Sequence, residues 1–299
     1  MSFLRGAALT TATTLGYADT SDLGPTAGIG FYRRWPDDLA RLQEVGITDV
    51  RITLDWARLQ PRPGRLDPNW TEWFEHLITA AEAIGLRTWA TLHDHSIPRW
   101  FDNEGGFGDD EAFTTWWPRW VEHAADQFGD RVHGWVPFAA MPPSAPLQPW
   151  RDTWSILGGG PPVVASIDVA EDSNGDLAEK YVGLTDLVGL CLSTSDRWGS
   201  TIREVAEQLD SKPLTVTLFA PDDQDDDDDA RAAIGVDVEQ AERSIAPFVS
   251  AVDEALDDGI DIQVCFLDPA ISGADSPFGL LDQDRALTSA SDAYLAPPS

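Results

Sequence analysis

The 299-residue sequence predicts an α/β fold, a compacted (β/α)8 TIM barrel. Eight short apolar runs with the length of buried strands recur along the chain, and helical patterns separate most of them. The chain length is typical of an eight-stranded barrel, and no short internal repeat indicates a solenoid or a propeller. We therefore expect residues 1–299 to form a single barrel domain.

The first half of the chain alternates strands and helices regularly. Residues 6–12 and Asp49–Asp55 predict strands one and two, and a helix between them begins at Trp35 with Pro36 near its first position. A second helix, strand three, a third helix and strand four follow at Trp70–Ile84, Arg87–Leu92, Asp109–Phe128 and Val132–Phe138. The first two helices end at glycine, the residue that best accepts the left-handed conformation at a helix C-terminus.

The alternation weakens after strand four. Residues 142–162 are rich in Pro, Gly and Trp and show no helical period, so we expect the helix after strand four to be missing or vestigial. Strands five to eight are predicted at Val163–Asp168, Leu187–Ser193, Leu214–Phe219 and Ile262–Leu267. Helices are predicted near 176–182, at Thr201–Leu209 and at Glu239–Leu256, and the acidic run 222–229 as a solvated loop.

The charge balance argues against several classes of partner. The chain has 51 acidic and 20 basic residues, a formal net charge of -31. Such a surface repels phosphate backbones and anionic lipids, so we expect neither nucleic acid nor a membrane as partner. The acidity suits a high-salt cytoplasm, where ions screen the self-repulsion. A genome that favours Arg over Lys, together with one acidic loop, explains it about as well.

The sequence also predicts a cytoplasmic protein. The N-terminus lacks the apolar core of a signal peptide, and no apolar window is long enough to span a bilayer. Cys191 and Cys265 lie in apolar, strand-like runs. We expect both to be buried free thiols, which is consistent with a reducing compartment.

Several motifs follow one another in a specific order over residues 1–143. They are Phe3-Leu-Arg-Gly-Ala-Ala8, Arg51-Ile-Thr-Leu-Asp-Trp-Ala-Arg58, Ala90-Thr-Leu-His93 with Ile97-Pro98, and Phe128-Gly-Asp-Arg-Val-His-Gly-Trp-Val136. This series resembles glycoside hydrolase family 1, the β-glucosidase family, and weaker similarities extend over residues 180–285. The resemblance implies a barrel whose active site lies at the carboxyl ends of the strands.

The resemblance further implies a retaining mechanism with two glutamates about 5–5.5 Å apart. The acid/base belongs to an Asn-Glu-Pro motif after strand four, and the nucleophile to a Thr-Glu-Asn-Gly motif after strand seven. Here Ala140 aligns with the first glutamate and Leu218 with the second. Neither side chain can donate a proton or attack an anomeric carbon. The His-Trp pair that contacts sugar in the family is replaced by Asp94-His95, so we expect a catalytically degenerate pseudo-glycosidase.

Other residues keep the means to bind a small molecule or a sugar. Arg51, which in the family supports the nucleophile, survives in this chain. The candidate ligand-binding residues are Arg51, Trp56, His93, His95, Trp135 and Trp198. Trp150, Trp154 and Trp198 are predicted in loops after strands four and six, on the face where barrels bind ligands. They form either a retained binding surface or hydrophobic packing in the emptied pocket.

Two alternatives compete with a binding role. A relocated acid/base pair among Asp94, Asp168 and Asp268 would make the chain a carbohydrate-active hydrolase, although strand-end Asp residues commonly cap loops or pair with arginine. Alternatively, apolar residues close the barrel mouth, and function lies in a surface contact with a partner protein. The closing residues would be Leu15, Leu218, Phe219 and Ile271.

A metal centre is the weakest interpretation of the mouth. His93 and His95 stand two residues apart and would point to one side of strand three, as some metal-binding histidines do. However, the chain has only five histidines, and the further ligands such a centre needs are missing from the middle strands. We therefore expect no metal and no cofactor.

Overall fold

The computed structural model describes residues 4–15, 29–94, 96–139, 147–168, 182–192, 197–209, 212–219, 238–272 and 279–296. Its eight strands are β1 (Arg5–Leu9), β2 (Asp49–Thr53), β3 (Arg87–Thr91), β4 (Gly134–Val136), β5 (Val164–Asp168), β6 (Leu187–Leu192), β7 (Leu214–Phe219) and β8 (Ile262–Asp268). They form one parallel sheet in the order β4-β3-β2-β1-β8-β7-β6-β5. Among these described residues, a single bridge, Trp135–Val163, joins β4 to the residue before β5, so the predicted barrel is confirmed and nearly closed.

Helices alternate with the strands, and their starts follow local sequence chemistry. The helices are α1 (Thr11–Thr14), α2 (Phe31–Glu44), α3 (Trp56–Leu59), α4 (Pro68–Ala83), α5 (Arg99–Asn103), α6 (Asp110–Phe128), α7 (Leu147–Leu157), α8 (Trp198–Gln208), α9 (Val238–Asp257) and α10 (Ser289–Tyr294). Asp67 accepts hydrogen bonds from the amides of Asn69 and Trp70 and thereby caps α4. Asp109 caps α6 in the same way through the amide of Ala112.

The prediction that the helix after strand four is missing or vestigial is wrong. Helix α7 has eleven residues and buries Trp150, Thr153 and Leu157, which recur at helical spacing. Pro149 lies in its first turn, where a residue without an amide hydrogen breaks no helical bond. The richness in Pro and Trp therefore marks the start and the packed face of a helix.

Helix α2 also differs from its prediction. It begins at Phe31 after Gly30, four residues before the predicted start, so Pro36 lies inside the helix. Gly30 adopts a left-handed conformation (φ 76°), which glycine accepts without strain. The acidic run 222–229 and most of the helix predicted near 176–182 lie outside the described residues.

The strands separate an inner core from an outer core, and this separation tells which way each residue faces. The inner cluster fills the barrel with Trp89, Val136, Val164, Leu187, Val264 and Phe266. The outer cluster lies between strands and helices and contains the alternate residues Cys265 and Leu267 of β8. A Cβ atom on Gly6 would lie 2.4 Å from the Phe266 ring, so glycine makes room for the inner aromatic side chain.

The cysteine prediction is confirmed in its structural part. Cys191 and Cys265 are both buried thiols, and neither forms a disulfide. Within the described part of the chain, every helix is too short or too polar to cross a lipid bilayer.

Candidate functional site

A buried ion pair lies at the mouth of the barrel, between β2 and β8. Arg51 Nη2 donates to Asp268 Oδ2 at 2.5 Å, and the two side chains are 3% and 5% exposed. Arg51 Nη1 also donates to Thr217 Oγ1 at 3.0 Å. The guanidinium carbon lies 5.6 Å from the centroid of the Phe219 ring and 5.7 Å from that of Phe266. The guanidinium charge is therefore matched by a carboxylate that β8 supplies.

Leu218 faces away from this ion pair. Thr217 points into the barrel, because its hydroxyl accepts a hydrogen bond from Arg51. Successive residues of a strand point to opposite faces, so Leu218 is directed to the helices, where it is fully buried in the outer core. Phe219 is the next inward-facing residue and pairs in register with Asp268. The resemblance placed the nucleophile at Leu218, but the inward position at the end of β7 is Phe219, and neither residue carries a carboxylate.

The end of β4 is tied to its neighbours by main-chain contacts. The amide of Ala139 donates to the carbonyl of His93 at 2.9 Å, and its carbonyl accepts from Cys191 Sγ at 3.1 Å. Residues 134–139 carry no ionisable side chain. Ala140, which aligns with the acid/base glutamate, lies outside the described residues, as do His95 and the side chain of Asp168.

Asp94 binds the ends of the first three strands together. Its Oδ2 accepts hydrogen bonds from the amide of Thr11 and from Thr53 Oγ1, both at 2.8 Å. The residue that stands at the sugar-contacting position of the resemblance thus holds the start of α1 against β2. These contacts are those of a strand-end Asp that organises loops.

Sequence reasoning missed a second buried charged pair beside Asp94. Asp55 is 1% exposed, caps α3 by accepting from the amide of Arg58, and is ion-paired with the Arg58 side chain. Arg58 Nη2 donates onward to the carbonyl of Leu15 at 3.0 Å. Burial raises the pKa of Asp55, the charge of Arg58 opposes that rise, and the nearby charge of Asp94 adds to it. The Asp-x-x-Arg spacing at a helix start was the available signal.

Most of the aromatic candidates belong to the packed core. Trp56 is 1% exposed, stacks on Trp120 with ring centroids 5.7 Å apart, and donates to Gln60 Oε1 at 2.7 Å. Trp135 is equally buried. Trp198 begins α8 and packs edge-on against Phe248 of α9 at 5.7 Å. The interpretation as hydrophobic packing is therefore favoured for these three tryptophans.

Two further tryptophans lie on α7 and not in a loop. Trp150 is 2% exposed, and its Nε1 donates to the carbonyl of Leu184 at 3.1 Å. Trp154 is half-buried. His93 is also half-buried, with its ring centroid 4.6 Å from that of Phe107. Among the described residues, no group of three potential metal ligands comes together.

Known proteins resemble this chain over its first half in sequence and over nearly all of it in fold. The sequence profile of Glycosyl hydrolase family 1 matches residues 15–147. Beta-glucosidase 17 of Arabidopsis thaliana is 29% identical over 110 residues, and the cytosolic beta-glucosidase of Homo sapiens is 27% identical over 109 residues. These matches cover 36% of this chain in both cases, but only 21% and 23% of the relatives' own length.

The fold agrees more widely than the sequence. The structure titled "Apo structure of a beta-glucosidase 1317" superposes with a TM-score of 0.76 at 18% identity, covering 98% of this chain and 97% of the other. An identity this low supports the fold alone. Residues 15–147 are therefore similar in sequence to family 1, and the fold is a (β/α)8 barrel like that of a solved β-glucosidase.

Proposed function

We propose that this family 1-like barrel is catalytically degenerate and has a binding or scaffold role instead of glycoside hydrolysis. The observation that carries the proposal is the end of β7. A retaining glycosidase needs a carboxylate there to attack the sugar, and this chain offers Leu218 on the helix side and Phe219 on the inward side. Arg51, which supports that carboxylate in the family, is paired with Asp268.

Asp268 is a poor substitute for the missing nucleophile. Its carboxylate accepts from a guanidinium that is itself almost fully buried. The Asp268 side chain is also only 5% exposed, so a sugar would have little access to its carboxylate. Burial and a position on β8, not β7, therefore favour a structural role for Asp268 over that of a relocated nucleophile.

Asp94 is no better placed as a proton donor. Two hydrogen-bond donors of the protein already occupy its Oδ2, and both belong to the barrel framework. An acid/base residue must be able to give and accept a proton at the substrate oxygen. Asp168 ends β5 and is the remaining candidate of the hydrolase hypothesis, so its substitution is part of the test below.

The burial of the candidate residues favours a scaffold over a wide sugar-binding cleft. Arg51, Trp56, Trp135 and Trp198 are all at most 5% exposed. His93 keeps more exposed surface and would be the first contact for a sugar or another small molecule. A family 1-like barrel remains the type of fold that binds sugars, so a sugar-type ligand is the first class to screen.

Hydrolysis is tested with purified protein and 4-nitrophenyl β-D-glucoside. We expect no release of nitrophenol above the rate of a buffer blank, with an active family 1 β-glucosidase as positive control. The variants Asp94→Asn, Asp168→Asn and Asp268→Asn should match the wild type, because there is no activity to lose. Turnover by the wild type that Asp168→Asn abolishes would refute the proposal and establish the relocated-acid hypothesis.

Binder and scaffold are separated by a thermal-shift screen of mono- and oligosaccharides and of small metabolites. A ligand at 100 times its Kd stabilises the folded state by about 2.7 kcal/mol, which a melting curve resolves. A shift that His93→Ala removes would assign the binding role and locate it at the mouth. The absence of any shift would leave the scaffold role, whose partner would then be sought by co-purification.

A further inference from the structure

The barrel wall has one weak join, between β4 and β5. Among the described residues, these strands share a single bridge, Trp135–Val163, and a backbone hydrogen bond from Trp135 to the carbonyl of Pro162 at 2.8 Å. By contrast, all six residues of β7 from Leu214 to Phe219 pair with β8, with one register shift after Leu214. We call the contact line between β4 and β5 the seam.

The sequence explains why the seam is weak. Amides two residues apart on a strand point to the same neighbour, so residue 137 should supply the next hydrogen bond after Trp135. Residue 137 is a proline and has no amide hydrogen. On the other side, Pro161 and Pro162 precede β5 and cannot donate either.

Helix α7 spans the seam from outside the sheet. Trp117 of α6 donates its indole N–H to Thr153 Oγ1 of α7 at 2.8 Å. On the same helix, Trp150 Nε1 donates to the carbonyl of Leu184, just before β6. The helix is thereby hydrogen-bonded to elements on both sides of the weak join, and both of these indoles are almost fully buried.

We infer that the native barrel opens locally at the seam, and that helix α7 holds the seam closed. The opening separates β4 from β5 while the ladders from β5 round to β8 and back to β4 stay intact. It gives lateral access to the barrel interior beside the end of β4. Local opening of a segment with few hydrogen bonds costs less free energy than global unfolding.

The two cysteines provide built-in reporters of this opening. Cys191 Sγ donates to the carbonyl of Ala139, so its contact joins β6 to the end of β4 and breaks when the seam opens. Cys265 lies on β8, which is paired with β1 and β7 on its two sides, and is 0% exposed. Burial also raises the pKa of the Cys265 thiol, which makes it unreactive in the folded state. Cys191 should thus report local opening and Cys265 global unfolding.

The test is native-state alkylation with N-ethylmaleimide, followed by mass spectrometry of the two cysteine-containing peptides. We expect Cys191 to be labelled at least about tenfold faster than Cys265. The labelling rate of Cys191 should depend only weakly on low urea concentrations, since local opening exposes little surface. Trp150→Phe removes a hydrogen bond of about 1 kcal/mol and should speed labelling of Cys191 about fivefold. Labelling of Cys265 should follow only the change in global stability.

Trp73→Phe is the matched control. It removes a similar indole hydrogen bond, from Trp73 Nε1 to the carbonyl of Tyr32 at 3.2 Å, between α4 and α2, away from the seam. It should leave the ratio of the two labelling rates unchanged. Equal rates at both cysteines would overturn the inference, as would equal effects of the two tryptophan variants. Labelling of Cys191 at the rate of a free thiol in every variant would also overturn it, because the thiol would then be reached without any opening.

Discussion

The ion pair between Arg51 and Asp268 yields the most decisive stability prediction. Asp268→Ala leaves a guanidinium that is 3% exposed and that, among the described residues, keeps the Thr217 hydroxyl and two aromatic rings around it. Removing one partner of a buried ion pair costs about 3–5 kcal/mol, because the other charge stays buried without compensation. We expect a loss of about 3 kcal/mol in the free energy of unfolding, since Thr217 retains one hydrogen bond.

The measurement is urea unfolding at pH 7, followed by tryptophan fluorescence. A change in midpoint at constant slope would report a change in stability. The double variant Arg51→Met with Asp268→Leu should recover most of the loss, because it removes both charges and replaces them with apolar groups. A surface pair gives the control: Arg203 and Asp258 are 37% and 55% exposed, and Asp258→Ala should leave the midpoint nearly unchanged.

Two outcomes would refute this reasoning. A loss below about 1 kcal/mol for Asp268→Ala would mean that Arg51 is not buried as described or finds another counter-charge. A double variant less stable than Asp268→Ala would mean that Arg51 stabilises the fold by packing alone. Either outcome would also reopen the role of Asp268 as a free carboxylate of the mouth.

Three further predictions concern single side chains. Leu218→Glu should strongly destabilise the fold, because it places an unpaired charge in the outer core. Phe219→Glu should cost less stability, because Arg51 lies beside it. The urea midpoints of the two variants measure this difference. Burial lowers the pKa of His133 below 6.5, so the unfolded state takes up a proton before the folded state does. The free energy of unfolding should therefore fall as the pH drops from 7.5 to 5.5. His133→Asn should reduce this dependence on pH. Burial raises the pKa of Asp253, whose Oδ1 has no hydrogen-bond partner among the described residues, so its favourable contribution is lost as the pH rises through the folded pKa. Asp253→Asn should therefore raise the free energy of unfolding at pH 7 by up to about 1 kcal/mol in the same assay, and an unchanged midpoint would contradict the burial of that charge.

The strands were predictable because their residues are apolar on both faces. Each strand of a closed parallel barrel is covered by the inner core and by helices, so it appears in the sequence as a short apolar run. The predicted bounds of β7 are those of the structure, and the others differ by a few residues at their ends. Helix α7 was missed because its buried face is built of Trp, Thr and Leu around a proline, a composition that otherwise indicates a loop.

The site was harder to predict, because a sequence alignment gives the position of a residue but not the face of the strand to which its side chain points. Thr215, Val216, Thr217 and Leu218 alternate hydroxyl and aliphatic side chains, a period-two signal already present in the sequence. That alternation indicates that the threonines share one face and the aliphatic residues the other. The partner of Arg51 was less visible, since Asp268 follows it by 217 residues and only barrel closure brings the two together.

The buried ion pair gives Arg51 a role that does not depend on catalysis. A guanidinium at the barrel mouth needs a counter-charge, and in the family that charge belongs to the nucleophile itself. Once β7 ends in Leu218 and Phe219, Arg51 would be unpaired and strongly destabilising unless another carboxylate reached it. Asp268 does reach it, and Phe219 covers the guanidinium where a nucleophile would otherwise stand. The ion pair therefore gives Arg51 a structural role, which is consistent with its presence in the degenerate barrel that we propose.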